Sequence, residues 1–249
     1  VEGAQSMRHL VSSSTEVSGK GQQTITLPKP NPKPHFFTAD NFTPESKKRW
    51  EEYYEDVAVL AFPAGASTFN TTFEPGNAYM RLTGIDEKVL YYRKPYSSVA
   101  QVKNYLTFGK DSSNVQVVDK GHIIDLTDRL NADGTLTWNV PDGKWTVMRF
   151  GTRNNGAVTR PAPLPGVGLE ADKFDTTALN AHLDKFVTKL FNRVGFKKAQ
   201  PQGGLQMLHM DSWEMGAQNW TTHFREEFTK RRGYDPQPFY PVYAGFIVQ

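Results

Sequence analysis

Residues 205–232 read LQMLHMDSWEMGAQNWTTHFREEFTKRR, and the reading of this stretch decides the fold. Leu205–Met210 is short and mostly apolar, which predicts a buried strand. It runs into Asp211-Ser212-Trp213-Glu214. From about Thr221 to Arg232 the pattern becomes helical. Phe224, Phe228 and Arg231 mark its inner side, and Glu226 with Lys230 and Glu227 with Arg231 make favourable i,i+4 pairs. Gly233 ends the helix and Pro236 bars its continuation. Upstream, Asp175–Arg193 has the same period. Leu179, Leu183, Phe186, Val187, Leu190 and Phe191 form one apolar stripe, Asp175 is the N-cap and Gly195 the stop. Helix, strand and helix, followed by a further apolar run, is the rhythm of a parallel sheet. The expectation is an α/β fold. One such unit does not separate a barrel from an open sheet.

The residues before this region read differently. Gln23–Leu27 alternates as a strand does, and Pro28–Pro34 holds four prolines in seven residues, an extended loop. Val57–Phe62 is a compact apolar run that predicts a buried strand ending at Pro63. Tyr79–Ile85, Val99–Phe108 and Val115–Val118 are further short strand candidates. Asp133-Gly134 and Asp142-Gly143 are turns, the second leading into the alternating run Trp145–Phe150. The middle of the chain, roughly 20–155, is therefore expected to be antiparallel sheet. Arg160–Gly168, with three prolines and two glycines, marks a boundary.

Composition sets the outer limits. The 249 residues suffice for one large domain or two ordinary ones, and 38% apolar with 12% aromatic content is globular. Twenty-nine basic side chains against 26 acidic leave a net charge of +3. The basic runs Lys47-Lys48-Arg49 and Lys230-Arg231-Arg232 lie beside Glu51-Glu52 and Glu226-Glu227, so they read as solvated helix faces rather than a nucleic-acid stripe. The absence of cysteine excludes disulfides, thiolate metal sites and cysteine nucleophiles. No run approaches the length of a membrane span. The chain does not begin with Met, and Pro241–Gln249 (PVYAGFIVQ) is apolar and wants something to pack against. Both features suggest a piece cut from a longer polypeptide.

Two constellations bear chemistry. At the C-terminal end of a parallel strand, side chains face the active site of an α/β fold. His209, Asp211, Ser212, Trp213 and Glu214 would sit there. Glycosidic cleavage needs a proton donor for the leaving oxygen and a second carboxylate for water. An aromatic neighbour raises an acid's pKa and packs on a sugar ring. From spacing alone the plainer reading stands ahead, a carboxylate that caps the next helix, and Trp213 suits the core as well as a pocket wall. The second constellation is Glu170 and Asp172, two apart and on one face if extended. Calcium takes such oxygen ligands, a sugar hydroxyl network would also suit, and Lys173 could instead neutralise one of them. The six histidines are scattered, with no HExxH spacing. There is no GxSxG elbow, P-loop or GxGxxG.

The stretch from His209 to Thr221 resembles the signature of glycoside hydrolase family 106, the bacterial α-L-rhamnosidases. So do Phe224–Phe228, Arg231–Pro236, Pro241–Gly245, Asp56–Pro63, Arg160–Pro163 and Gly168–Lys173. The resemblance implies a large, secreted, multi-domain enzyme of a bacterium, exported to the periplasm or cell surface. It implies a catalytic (β/α)8 barrel with β-rich insertions, and removal of terminal α-L-rhamnose from plant polysaccharides of the pectic rhamnogalacturonan type, with inversion and calcium assistance. On that basis residues 1–19 would belong to the barrel, 20–159 to a β-rich insertion with some barrel elements, and 160–249 to strand–helix units of a partial TIM-like barrel. Glu214 would be the general acid. Asp211, Trp213, His209 and Asn219 would contact the sugar, and Glu170 and Asp172 would be metal candidates. The catalytic base would lie beyond Gln249, so the chain alone would be inactive. The alternatives are a non-catalytic carbohydrate-binding or structural module, which Trp138 and Trp145 would suit, and a barrel glycosidase of other sugar specificity.

Overall fold

A computed structural model describes residues 3–32, 42–68, 116–159, 162, 166–195, 207, 209 and 218–249. Its centre is a four-stranded antiparallel sheet. Strand β1 (Arg8–Ser18) lies beside β6 (Lys144–Asn154), then comes β3 (Glu55–Pro63), and then the short β4 (Ile124–Asp125). β1 and β6 pair along their whole length, from Arg8 opposite Asn154 to Ser18 opposite Lys144. A second, two-stranded ribbon pairs β2 (Gly21–Thr26) with β5 (Thr135–Val140). The ribbon and the sheet are joined twice, through Gly19-Lys20 and through Pro141–Gly143. Gly19 donates its N–H to the Gly143 carbonyl at 3.1 Å. Both glycines have φ near +115° (114° and 116°), a backbone other residues avoid.

β3 is buried from Ala58 to Phe62 because both faces of the sheet are covered there. Val59 and Ala61 face the ribbon, in a cluster with Val17, Ile25, Leu27, Leu126, Leu136, Trp138, Val140 and Val147. Ala58, Leu60 and Phe62 face the other way, with Leu10, Met148, Phe150, Trp220 and Tyr240. This second layer is capped by the C-terminal part of the chain. Helix α4 (Phe224–Arg232) supplies Phe224 beside Trp220, ring centroids 5.0 Å apart, and Tyr240 meets Phe150 edge-on at 5.8 Å. Each large apolar side chain so enclosed contributes about 1.5–3 kcal/mol relative to exposure. Phe246 packs edge-on against Phe62 at 5.1 Å, so the apolar end of the chain finds a partner in the sheet.

Most local expectations hold. The Asp133-Gly134 turn forms, with Gly134 at φ +85°, and Thr135 returns its N–H to Asp133 Oδ1 at 2.9 Å. The described part of the proline loop, residues 28–32, lies outside any helix or strand; Arg153 binds the Pro30 carbonyl and Arg149 that of Leu27 just before it, each at 2.7 Å. Asp175 caps α2 (Thr176–Leu183), which continues through a π-helical turn at Asp184–Thr188 into α3 (Lys189–Val194) before Gly195 at φ +77°. α4 ends at Gly233 in the left-handed region.

The Ser-rich Val11–Val17 belongs to β1, a strand without apolar alternation, because β6 provides the ladder. Residues 8–18 therefore lie in the same sheet as strands from the middle of the chain. Other expectations need correction. Arg231 is exposed and pairs with Glu227 at 2.9 Å rather than facing inward. The stripe on α2 and α3 is only partly covered: Leu183, Val187 and Phe191 are half-buried, while Leu179, Phe186, Leu190 and Val194 are exposed. Among the described residues every strand ladder is antiparallel, so the architecture is an α/β mixture around antiparallel sheets. The expected strands at 79–85, 99–108 and 205–210, and nearly all of the Arg160–Pro165 loop, lie outside the described residues or reach them only at isolated positions.

Candidate functional site

Three segments distant in sequence converge at the N-terminal end of β1. The first is Ser6–Leu10. The second is the extended stretch Leu169–Asp172, which bridges Ser6 through Ala171 and Val158 through Leu169. The third is Gln218–Thr222, which follows the 209–217 motif directly in the chain. Backbone bonds seat the second segment: Met7 donates to the Glu170 carbonyl at 2.9 Å and Asp172 to the Gln5 carbonyl at 2.8 Å. The third is seated by Arg8, which bridges Trp220.

Arg8 is the hub. It is 1% exposed, in the middle of an otherwise apolar strand start. Its guanidinium donates to Thr222 Oγ1 at 2.7 Å, to the Tyr53 hydroxyl at 3.2 Å and to Glu55 at 3.3 Å. It lies 3.6 Å from Asp172 Oδ2, and Asp172 is equally buried. The other carboxylate oxygen of Asp172 accepts from the Gln218 side-chain amide and from the Phe174 N–H at 2.8 Å. Gln218 also accepts from the Lys173 N–H at 3.0 Å and donates to the Trp220 carbonyl at 3.0 Å. Arg8 Nε and Asp172 Oδ2 have no hydrogen-bond partner among the described residues. Burial, with the Glu55 carboxylate alongside, pushes the Tyr53 hydroxyl up to about 12 against the opposing pull of Arg8. Tyr53 therefore stays neutral at ordinary pH.

The residues singled out from sequence divide accordingly. Asp211, Trp213 and Glu214 lie outside the described residues. His209 is exposed. Asn219 is half-buried and accepts the Leu10 N–H on its side-chain oxygen at 2.8 Å, so it ties the end of the motif to β1. Glu170 is paired with Lys173 at 2.5 Å, the local neutralisation that the sequence allowed. Asp172 turns to Arg8 and Gln218. Calcium takes six to eight oxygens. Glu170 is paired with Lys173, and a guanidinium sits against Asp172, whose Oδ2 accepts no hydrogen bond among the described residues. The described residues contain no group of three or more potential ligands. Trp138 is 4% exposed and packs edge-on against Trp145, whose indole N–H goes to the Pro141 carbonyl at 3.2 Å. Trp138 therefore belongs to the core and offers no flat platform to a sugar.

The sequence reading missed Arg8, Gln218 and Thr222. A lone arginine inside Met7–Val11 was the available signal, since a charge within a buried strand start needs a partner.

The chain belongs to glycoside hydrolase family 106, whose model, described as alpha-L-rhamnosidase, matches residues 1–249. A curated protein of Formosa agariphila named "Putative beta-glucuronidase" is 33% identical over 207 residues, which cover 83% of this chain and 16% of that protein. The solved structure of a rhamnosidase from Novosphingobium sp. PP1Y matches with a TM-score of 0.70 and 22% identity, over 98% of this chain and 33% of that one. The last likeness shows a shared fold. The chain thus spans about a third of the rhamnosidase and less than a fifth of the curated relative.

Proposed function

We propose that this chain serves a secreted or periplasmic glycoside hydrolase that removes terminal α-L-rhamnose from plant polysaccharides of the pectic type, within a catalytic (β/α)8 barrel completed by residues outside 1–249. The family match over the whole chain carries this reading. The relatives' much greater length supports this chain's being one part of a larger enzyme. Glu214, beside Trp213, is the general acid. It gives its proton to the glycosidic oxygen as the C1–O bond breaks, while a second carboxylate, not assigned within 1–249, takes a proton from the water that attacks C1 on the opposite face. Asp211, Trp213 and His209 contact the sugar. Calcium assistance is part of the same proposal, with Glu170 and Asp172 as its candidate ligands.

The test is Glu214→Gln in the full-length protein. Hydrolysis of a rhamnoside with a poor leaving group should fall by at least about 100-fold, and a nitrophenyl rhamnoside should lose far less. Equal activity of variant and wild type on the poor leaving group removes Glu214 from the acid role. NMR of the first-formed sugar reads the stereochemistry, inversion giving the β-anomer. A second reading, a different sugar specificity, is favoured by the name of the Formosa agariphila relative. Turnover of aryl β-D-glucuronides with none of aryl α-L-rhamnosides would select it.

A further inference from the structure

We propose that the exposed side of the helix running from α2 into α3 seats an amphipathic helix with acidic flanks, supplied by the part of the enzyme outside residues 1–249. The surface consists of two rows. Phe186, Leu190 and Val194 form an apolar row, 69%, 48% and 62% exposed. Lys185, Lys189 and Arg193, each one residue earlier, form an exposed basic row beside it. A repeat of four overshoots an α-helical turn of about 3.6 residues. The wider π-helical turn at Asp184–Thr188 takes up part of that overshoot. Both rows therefore run close to the helix axis, the arrangement that suits a second helix laid alongside.

Single exposed apolar side chains are ordinary on a protein surface. A regular row of three on one helix is not, and contiguous apolar patches mark contact surfaces. From Thr176 to Val194 only Ala178 is buried, and the other edge of the stripe, Leu183, Val187 and Phe191, is half-buried. Helices draw most of their stability from packing an amphipathic face, and this helix leaves half of that face open. The basic row points to the partner's charge. Like charges four residues apart weaken a helix. The helix dipole favours cations only within the last turn, which accounts for Arg193 but not for Lys185 or Lys189. Carboxylates on the partner opposite this row turn the repulsion into attraction. The partner belongs to the same polypeptide because this chain spans 33% of the Novosphingobium rhamnosidase and 16% of the Formosa agariphila relative. Most of an enzyme of that size lies outside 1–249 and has to meet these residues somewhere. The inference shares with the proposed function only that longer polypeptide and holds for any sugar specificity.

The test uses the full-length protein with Phe186→p-benzoylphenylalanine, irradiated at low and at high concentration, the linked peptides being read by mass spectrometry. The expected product is an intramolecular link to an apolar segment bordered by Asp or Glu outside 1–249, in equal yield at both concentrations. A link to a residue within 1–249, a covalent dimer whose yield rises with concentration, or no link at all overturns the proposal. A second variant, Lys189→Glu, leaves the apolar row intact and reads the charges. Within the helix itself this change relieves a like-charge repulsion and gives Arg193 a favourable i,i+4 partner, so a bare helix would exchange its amide hydrogens more slowly. Against an acidic partner the sign reverses, and amides from Asp184 to Val194 should exchange roughly tenfold faster than in wild type. Slower or unchanged exchange overturns the proposal. Neither readout uses turnover. Loss of the rhamnosidase assignment would leave this interface standing, and loss of the interface would leave the reaction untouched.

Discussion

Arg149 and Arg8 are both buried arginines in neighbouring strands of one sheet, at 2% and 1% exposure, yet their surroundings differ in kind. Arg149 is saturated. It forms a two-pronged pair with Asp56 at 2.7 and 2.8 Å, donates to the Leu27 carbonyl at 2.7 Å and lies 5.5 Å from the centre of the Tyr54 ring. Tyr54 closes the arrangement by donating to Asp56 at 2.6 Å. Arg8 instead spreads one contact of 2.7 Å and three of 3.2–3.6 Å over four residues of three segments and leaves Nε without a hydrogen bond among the described residues. A saturated charge inside a sheet specifies the fold. An under-satisfied one at the junction of three segments specifies the relation between those segments.

The sharpest way to break the comparison is to truncate both arginines. Arg149→Met leaves Asp56 without its bidentate partner and the Leu27 carbonyl without its donor. Asp56 is 40% exposed, so water recovers part of the loss. An unfolding free energy lower by about 2–3 kcal/mol is expected, with turnover per folded molecule unchanged. Arg8→Met should cost more, about 3–5 kcal/mol, because it leaves the fully buried Asp172 carboxylate without its cation. Urea denaturation and rate measurements on the same preparations read both, and identical profiles for the two variants would erase the distinction.

Gly134 sharpens the same contrast on the stability side. A β-carbon there would lie 2.7 Å from Arg149 Nη1 and 3.0 Å from the Leu27 carbonyl, at φ +85°. Gly134→Ala is expected to cost about 1–2 kcal/mol from the strained backbone and the displaced guanidinium together. The same substitution in an Arg149→Met background should cost less. Strictly additive losses would mean that the turn and the arginine do not share a site.

How far these features were legible in the sequence follows from how local their causes are. The turns at Gly134 and Gly143, the cap at Asp175 and the stops at Gly195 and Gly233 are decided within a few residues, and each was read correctly. β3 was read because an apolar run with β-branched members has few other uses. β1 escaped because its serines have no apolar period, and only β6, more than a hundred residues away, makes it a strand. The cluster around Arg8 escaped for the same reason: its partners at Tyr53, Asp172, Gln218 and Thr222 are separated by most of the chain. The Glu170 and Asp172 pair looked like one feature because the two are adjacent but one. The fold sends one to Lys173 and the other to Arg8.

The smallest effect concerns acid. Burial works to raise the Asp56 carboxyl, but the hydrogen bonds from Arg149 and Tyr54 and the positive charge of Arg149 outweigh it, so the group ionises below the ordinary carboxylate range. A carboxyl whose folded value is depressed adds stability above its unfolded value, near about 3.9, and that stability disappears as pH falls through the lower folded value. Wild type should therefore lose stability below about pH 4 partly through this one group. Asp56→Asn should be less stable at pH 7 and should show a flatter decline between neutral and acid pH. Because Asp56 is partly exposed, the difference is modest. It is read by comparing urea midpoints at neutral and acid pH, and equal slopes in the two proteins would mean that Asp56 gains nothing from its arginine.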